Sequence, residues 1–295
     1  MKRDVIERKE ARSAWSIVAM IVIGLVSLTY VLLFGWAFLN SFKGSLEFET
    51  NLFGLPEKFR YGNYIDTFSQ LFVLVRDGAH LRKVYLPEMS LWGIYFALVP
   101  AIVNTFACAV CSYTLAKYNF RGKELIYNVL IFVMIFPIIG SLPSNLQFTH
   151  QIGMYNKPLW VIVTNCSIWT GNWLILVATY KGISWEYAEA AFIDGAGHWQ
   201  IFFKIMLPMS KTVLLVLILL KFIGLWNDYN TSLIWFPSYP TLAYGVYYFQ
   251  QTNTGSASEP IQLAAAVLSA VPSLILFLCF KEQMMNSLTM GGLKG

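Results

Sequence analysis

Residues 189 to 208 read Glu189-Ala190-Ala191-Phe192-Ile193-Asp194-Gly195, then nine residues, then Ile205-Met206-Leu207-Pro208, in a polar segment between two strongly apolar stretches. Ser184 is placed to cap a helix whose first turn holds Glu186, where a carboxylate meets the positive end of the helix dipole. The pattern predicts a short helix from about Trp185 to Asp194, ended by Gly195, because glycine adopts the left-handed stop at little cost. A second short helix is expected from about Trp199 to Met206, stopping near Pro208, which disfavours helix in the residue before it. Ala190 and Ala191 are small enough for another surface to approach the backbone, and Glu189 beside them offers an anion to a basic partner. Read alone, the segment is either a docking helix-turn-helix or an ordinary amphipathic loop at a membrane surface.

The flanks decide that a membrane is involved. Apolar residues make up 57% of the 295 and charged residues only 13%, against about 25% charged in soluble domains, and the mean hydropathy is +0.55. Six stretches are long enough to cross a hydrocarbon core, which takes roughly 20 helical residues: Trp15 to Leu39, Leu91 to Ala116, Leu125 to Pro143, Leu159 to Tyr180, Thr212 to Phe236 and Ile261 to Phe280. The third is broken by Pro137, Gly140 and Pro143, which are tolerated at membrane depth only where protein or a wet cavity satisfies the freed backbone groups. The first is too long for a signal-peptide core and is read as a retained span.

The expected fold class is therefore all-α, a polytopic membrane protein with six transmembrane helices. With both termini inside, thirteen Lys and Arg residues face the cytoplasm and seven face out, six of these in one long loop; the positive-inside rule then favours cytoplasmic termini. The division that follows is a cytoplasmic tail 1–14, a six-span domain 15–280 with outer loops 40–90 and 237–260 and a cytoplasmic segment 181–211, and a tail 281–295. The net charge of +5 reflects topology and lipid contact and gives no support to a nucleic-acid partner.

Catalytic chemistry is not written here. Cys108 and Cys111 form a C-x-x-C inside an apolar span with no His or carboxylate beside it, which reads as membrane filler rather than a metal or redox site. His80, His150 and His198 are scattered and predict no metal site. No G-x-x-x-x-G-K-[ST] phosphate loop occurs, so ATP hydrolysis is expected elsewhere and the chain is expected to be no enzyme.

The segment at 189–208 keeps every spacing of the EAA loop, E-A-A-x3-G-x9-I-x-L-P, of the membrane subunits of binding-protein-dependent ABC importers, and the resemblance extends over most of the chain. Pro56 and Asn63-Tyr64 resemble a pattern in the first outer loop of the maltose-permease-G-like carbohydrate importer subunits. Ser112 to Lys123 is similar to their A-Y-A-L-A-R-F-x-F-x-G-R junction, Ile152 to Asn156 to their G-L-x-N turn, and Trp226-Asn227-Asp228-Tyr229 to their W-N-[DE]-F. Thr241 to Gly245 is similar to T-L-x-x-G and Gly291 to Gly295 to the G-x-x-K-G end. Ser184 and Lys211 stand where the family often has proline.

This resemblance implies a type I ABC importer permease fold in the bacterial cytoplasmic membrane, multi-pass. It implies a homologous second permease subunit, two ATPase subunits carrying ATP and magnesium while this chain holds no cofactor, and an extracellular or periplasmic solute-binding protein. It makes Glu189, Ala190, Ala191, Asp194, Gly195, Ile205, Leu207 and Pro208 the ATPase-coupling residues, and sets Gly291, Gly292, Lys294 and Gly295 against the ATPase. The implied substrates are oligosaccharides or related glycosides. A glycerol phosphodiester is the alternative, which a basic cavity lining would mark.

Charged and polar residues inside spans are costly and informative. Lys221 and Asp228 are seven positions apart in the fifth span, on nearly one face but about 10 Å apart along the axis at 1.5 Å per residue, so they do not pair. An energy-independent channel or secondary transporter is the reading these charges would support. Trp226, Asn227, Asp228 and Tyr229, with Asn165, Trp169 and Asn172 of the fourth span, offer the aromatic faces and amides that sugars need; bracing of helices against one another is the other role open to them. Residues 248–261, with Phe249, Gln250, Gln251 and Asn253, are expected to form a mobile finger toward the binding protein. The loop at about 70–90 carries Val75 to His80 without an evident function, either as a contact to a partner subunit or as a peripheral insertion.

Overall fold

The computed structural model describes residues 14–78, 80–136, 140–166, 171–252 and 258–290. Trp169, Asn253 and the tail Gly291 to Gly295 lie outside the described residues. The chain divides into two compact units, Met1–Thr67 with Gly255–Val267, and Phe68–Thr254 with Leu268–Gly295.

The first unit begins with α1 (Ala14–Asn40), apolar all round, long enough to span a bilayer and with no buried residue in its most apolar 18-residue stretch. After α1 come α2 (Ser45–Thr50) and α3 (Gly62–Gln70). The last carbonyls of a helix lack intrahelical partners, and buried Asn63 satisfies the backbone beyond α1. Its side-chain amide donates to the carbonyls of Ser41 at 2.7 Å and Lys43 at 2.8 Å. Phe42 sits among the rings of Phe38, Phe59, Tyr61 and Tyr64, and the Lys43 ammonium, fully buried, donates to the Asn51 carbonyl. The Tyr64 hydroxyl lies 2.7 Å from Ser41 Oγ, and burial pushes its pKa up. The Asn63-Tyr64 pair thus orders the chain reversal.

The second unit opens with β1 (Phe72–Asp77) and β2 (His80–Tyr85), an antiparallel hairpin with Val73 opposite Val84. The helices α4 (Leu86–Lys117), α5 (Lys123–Ile135), α6 (Leu142–Gln151), α7 (Trp160–Asn165), α8 (Asn172–Gly182), α9 (Glu186–Ile193) and α10 (His198–Ile201) follow. A π-helical turn, Phe202–Met206, joins α10 to α11 (Leu207–Met209) and α12 (Lys211–Trp226). A second π-helical turn, Thr231–Trp235, precedes α13 (Leu242–Thr252), and α14 (Glu259–Met290) begins in the first unit and ends in the second.

Three of the expected spans are continuous helices, within α1, α4 and α14. The other three are interrupted. The third ends at Phe136 and resumes as α6 behind Gly140, whose φ is +80°, with Pro143 in the first turn. The fourth divides at Cys166 between α7 and α8, although only Gly171 punctuates it. The fifth stops at Trp226 because Asn227 turns its amide back to the Ile223 carbonyl at 2.8 Å and Asp228 accepts from Asn230 N–H at 2.9 Å and Thr231 Oγ1 at 2.6 Å. Short polar side chains compete in this way with the helix's own ladder.

The spine is α4, against which α8 and α12 pack. Its contact stripe is small: Gly93, Ala97, Ala101, Cys108, Ala109 and Ser112 are buried, and small residues let backbones approach where lipid supplies no hydrophobic drive. Ser112 Oγ donates to the Trp173 carbonyl at 2.9 Å, and a Cβ on Gly93 would come 3.1 Å from the Trp226 ring. Cys108 belongs to this stripe. The hairpin departs from an all-helical fold and explains the long loop: Leu71, Val73, Val75 and Val84 are buried, and β1 packs on α13 and β2 on α4 of the same chain. Gly245 makes room for it, lying against Met89 and Leu71.

Two stability predictions follow from these contacts. Gly93→Leu should push Trp226 off its seat and cost about 1–3 kcal/mol, read as a lower thermal midpoint of the detergent-purified protein with membrane insertion retained. Asn63→Ala and the near-isosteric Asn63→Asp should each strip two carbonyls of their donor at about 1–3 kcal/mol; a midpoint unmoved by both would show that the amide is dispensable.

Candidate functional site

The segment between α8 and α12 is built as two helical pieces on a common core. Glu186 N–H donates to Ser184 Oγ at 3.3 Å, and α9 runs to Ile193 with Asp194 at its C-cap. Gly195 takes φ +81°; its N–H reaches the Phe192 carbonyl at 3.0 Å, and Ala196 N–H the Ala191 carbonyl at 2.9 Å. That pair of bonds is the left-handed helix stop expected at this glycine. Glu189, Ala190, Asp194 and Gly195 are exposed, whereas Ala191 is half-buried and packs inward.

Ala188, which the motif does not mark, is the anchor. It is fully buried in a cluster with Tyr113, Tyr180, Ile201, Phe202 and Met206. Its signal was the helical spacing of Ala188, Ala191 and Phe192, three and four apart, which sets one face of α9 against the core. Lys117, at the end of α4, donates to the Ile183 carbonyl just ahead of α9, and the Tyr118 hydroxyl lies 2.9 Å from His198 Nδ1. Two elements of the 183–210 segment therefore hang from the spine.

The second piece differs from expectation. Helix continues through Pro208 to Met209 instead of stopping before it, then bends by 75° into α12. Pro208 has no N–H to return to Lys204, and the widened turn Phe202–Met206 lies just ahead of it. Ile205 and Leu207 are half-buried and Pro208 exposed. Ser210, 1% exposed, sits in the bend with its hydroxyl 3.0 Å from the Met206 and Leu207 carbonyls and 3.2 Å from the Tyr180 hydroxyl. Lys211 opens α12 without the proline common at that place.

A second site lies beyond the other end of α12. A cavity of about 420 Å³ is walled by α6, α7 and the turn Thr231–Trp235. Asn145, Thr149, Thr164, Asn165, Asp228 and Thr231 bring polar groups to it; Phe148, Trp160, Trp235 and Phe236 bring rings. Trp160 Nε1 donates to Thr149 Oγ1 at 3.2 Å, fixing that indole.

The structure joins two of the expected pathway residues, Asn165 and Asp228, in this cavity, and sets the other described ones apart. Trp226 is buried, its indole N–H donating to the Ser269 carbonyl at 2.8 Å, so it braces α12 on α14. Tyr229 stacks on Tyr247 at 4.3 Å, Asn227 bonds its own helix, and Lys221 and Asn172 are half-buried outside the cavity lining. Of the expected finger, the described residues 248–252 and 259–261 are helical. Phe249 is 6% exposed on α13 and offers no free face to a sugar, while Gln250 and Gln251 are exposed. Asn145 and Thr149 went unmarked although they sit four apart, on one face of a short polar helix behind a Gly-Pro break.

Comparison with known proteins agrees with this architecture. The family model described as binding-protein-dependent transport system inner membrane component matches residues 93–281. The diacetylchitobiose uptake system permease protein NgcG of Streptomyces coelicolor is 25% identical over 264 residues, covering 87% of this chain and 82% of its own. The maltose/maltodextrin transport system permease protein MalG of Photorhabdus laumondii is 30% identical over 231 residues, 76% of this chain and 78% of its own. A crystal structure of a bacterial ABC transporter involved in the import of the acidic polysaccharide alginate contains a chain of the same fold, with TM-score 0.74 and 18% identity over 92% of this chain and 97% of that one. The match runs from the spine α4 through the Glu189–Pro208 segment into α14, and the chain belongs to the family of inner membrane components of binding-protein-dependent transport systems.

Proposed function

We propose that the chain is the transmembrane permease subunit of an ATP-driven importer of oligosaccharides or related glycosides, and that residues 181–211 receive an ATPase subunit. The observation that carries this reading is the mounting of α9. Its outer face presents Glu189 and Ala190, its inner face is locked by Ala188, and its end is closed by Gly195. A force on Glu189 is then carried into the core at α4 and α8 instead of being lost in a loose loop, and through the bend at Ser210 into α12. The sixteen residues of α12 extend about 24 Å at 1.5 Å per residue, which links ATPase closure to the far end of the pathway.

The same reading places the termini in the cytoplasm, pairs the chain with a homologous permease above two ATPases, and has a solute-binding protein deliver from outside. Relatives whose names specify diacetylchitobiose and maltodextrin support the glycoside class. The carboxylate of Asp228 is held by donors of its own segment, so its presence at membrane depth needs no ion-relay role. This favours an ATP-driven importer over an energy-independent channel or secondary transporter.

Glu189→Lys should abolish uptake in proteoliposomes and release the ATPase on size-exclusion chromatography. At Gly195 a Cβ would meet nothing within 4 Å, so only the backbone objects: Gly195→Val should fail, a β-branched residue at positive φ being a true outlier, while Gly195→Asn keeps most uptake. Equal uptake by the Val and Asn variants would show that the left-handed stop is not what the ATPase requires.

A further inference from the structure

We infer that the cavity between α6, α7 and the turn after α12 is a subsite for one uncharged pyranose ring, taken up at the end of the pathway opposite α9. The inference rests on the importer reading above and narrows its substrate class. The volume of about 420 Å³ falls within the roughly 300–1,000 Å³ of small-molecule sites. Its lining has the composition that sugar recognition demands: flat rings from Trp160 and Trp235 for the C–H faces, and amide and carboxylate groups for the hydroxyls.

Asp228 carries the chemistry. An ionised carboxylate offers about four acceptor positions on two oxygens. Asn230 N–H occupies one on Oδ1 and Thr231 one on Oδ2. Each oxygen keeps a further position, the arrangement that takes two neighbouring hydroxyls of a ring. The local bonds hold the carboxylate in place before a ligand arrives, which lowers the ordering cost of binding. Among the described residues the Asn145 amide makes no hydrogen bond, and the Asn165 amide uses only its N–H side, on the Val161 carbonyl at 3.2 Å and Thr164 Oγ1 at 3.3 Å. Both leave a carbonyl oxygen for a sugar O–H.

Charge selects against anions. Among the described lining residues Asp228 is the one ionisable side chain, and no Lys, Arg or His accompanies it. A phosphodiester or uronic acid would meet a like charge with no basic partner, so the cavity accepts neutral sugars and rejects acidic ones. The position agrees with delivery from outside, since α6, the start of α7 and residues 228–236 all lie at the ends of their spans away from α9 in the chain order.

The test is equilibrium binding, by titration calorimetry, to the assembled transporter without its binding protein. The neutral probes are maltotriose and N,N′-diacetylchitobiose; the acidic ones are trigalacturonate and sn-glycerol 3-phosphate. At least one neutral probe should bind, neither acidic probe should, and Asp228→Asn should weaken the neutral probe roughly tenfold by removing a charged acceptor. Asn145→Ala, an exposed position where folding is not at stake, should weaken it several-fold, with Lys58→Ala, exposed and absent from the cavity lining, as the unaffected control. Wild-type affinity in both variants, or binding of an acidic probe as tight as the neutral one, overturns the subsite. Uptake of a neutral sugar by the complete transporter that persists unchanged in both variants would sink the subsite and leave the importer standing. Absence of uptake for every sugar would sink both.

Discussion

Close approach of helices to α4 is the constraint on which the rest of the second unit depends. In hydrocarbon the neighbouring helices gain nothing from leaving lipid, so association rests on packing and on hydrogen bonds across the contact. The small residues from Gly93 to Ser112 allow the Trp226 ring to close on Gly93 and the Ser112 hydroxyl to reach the carbonyl of Trp173. A larger side chain on that stripe would hold α8 or α12 off, and both sites described above are mounted on those two helices and their immediate neighbours. The segment from Ile183 to Ser210 hangs from one end of the pair, and the aromatic cavity closes the other.

At both ends of α12 the span breaks where side chains take over freed backbone groups. Asp228 and Asn227 do so after α12, and Ser210 with the Tyr180 hydroxyl lies in the bend before it. An unsatisfied peptide group at membrane depth costs several kcal/mol, and at these two breaks the side chains supply partners. The same polar groups are then at hand for other uses: the carboxylate that ends α12 also lines the cavity.

Much of the Glu186–Pro208 segment could be read directly, because a helix stop is decided within a few residues. Gly195 needed only its own freedom at positive φ, and Ser184 only a nearby N–H. The course of the chain through Pro208 was not legible in the same way. Proline disfavours helix in the residue before it, yet Leu207 is helical behind the widened turn on the buried core of Ile201, Phe202 and Met206, and the helix ends only at Met209. Phe249 shows the opposite error: it stands in a run of Gln, Thr and Ser that reads as a loop, and tertiary packing draws it into a helix and buries it.

The amino-acid sequence by itself determined that the chain crosses a membrane several times, where its charged ends lie along the chain, and where a helix must stop at Gly195, because hydropathy and backbone freedom are local quantities. Only the tertiary structure decided which faces of those spans meet protein, since an apolar helix in lipid shows no contrast between its two sides. The hairpin's seat on α13, the anchoring of α9 through Ala188, and the meeting of Asn145, Trp160, Asn165 and Asp228 around one cavity all depend on contacts between residues far apart in the chain, which no local period records.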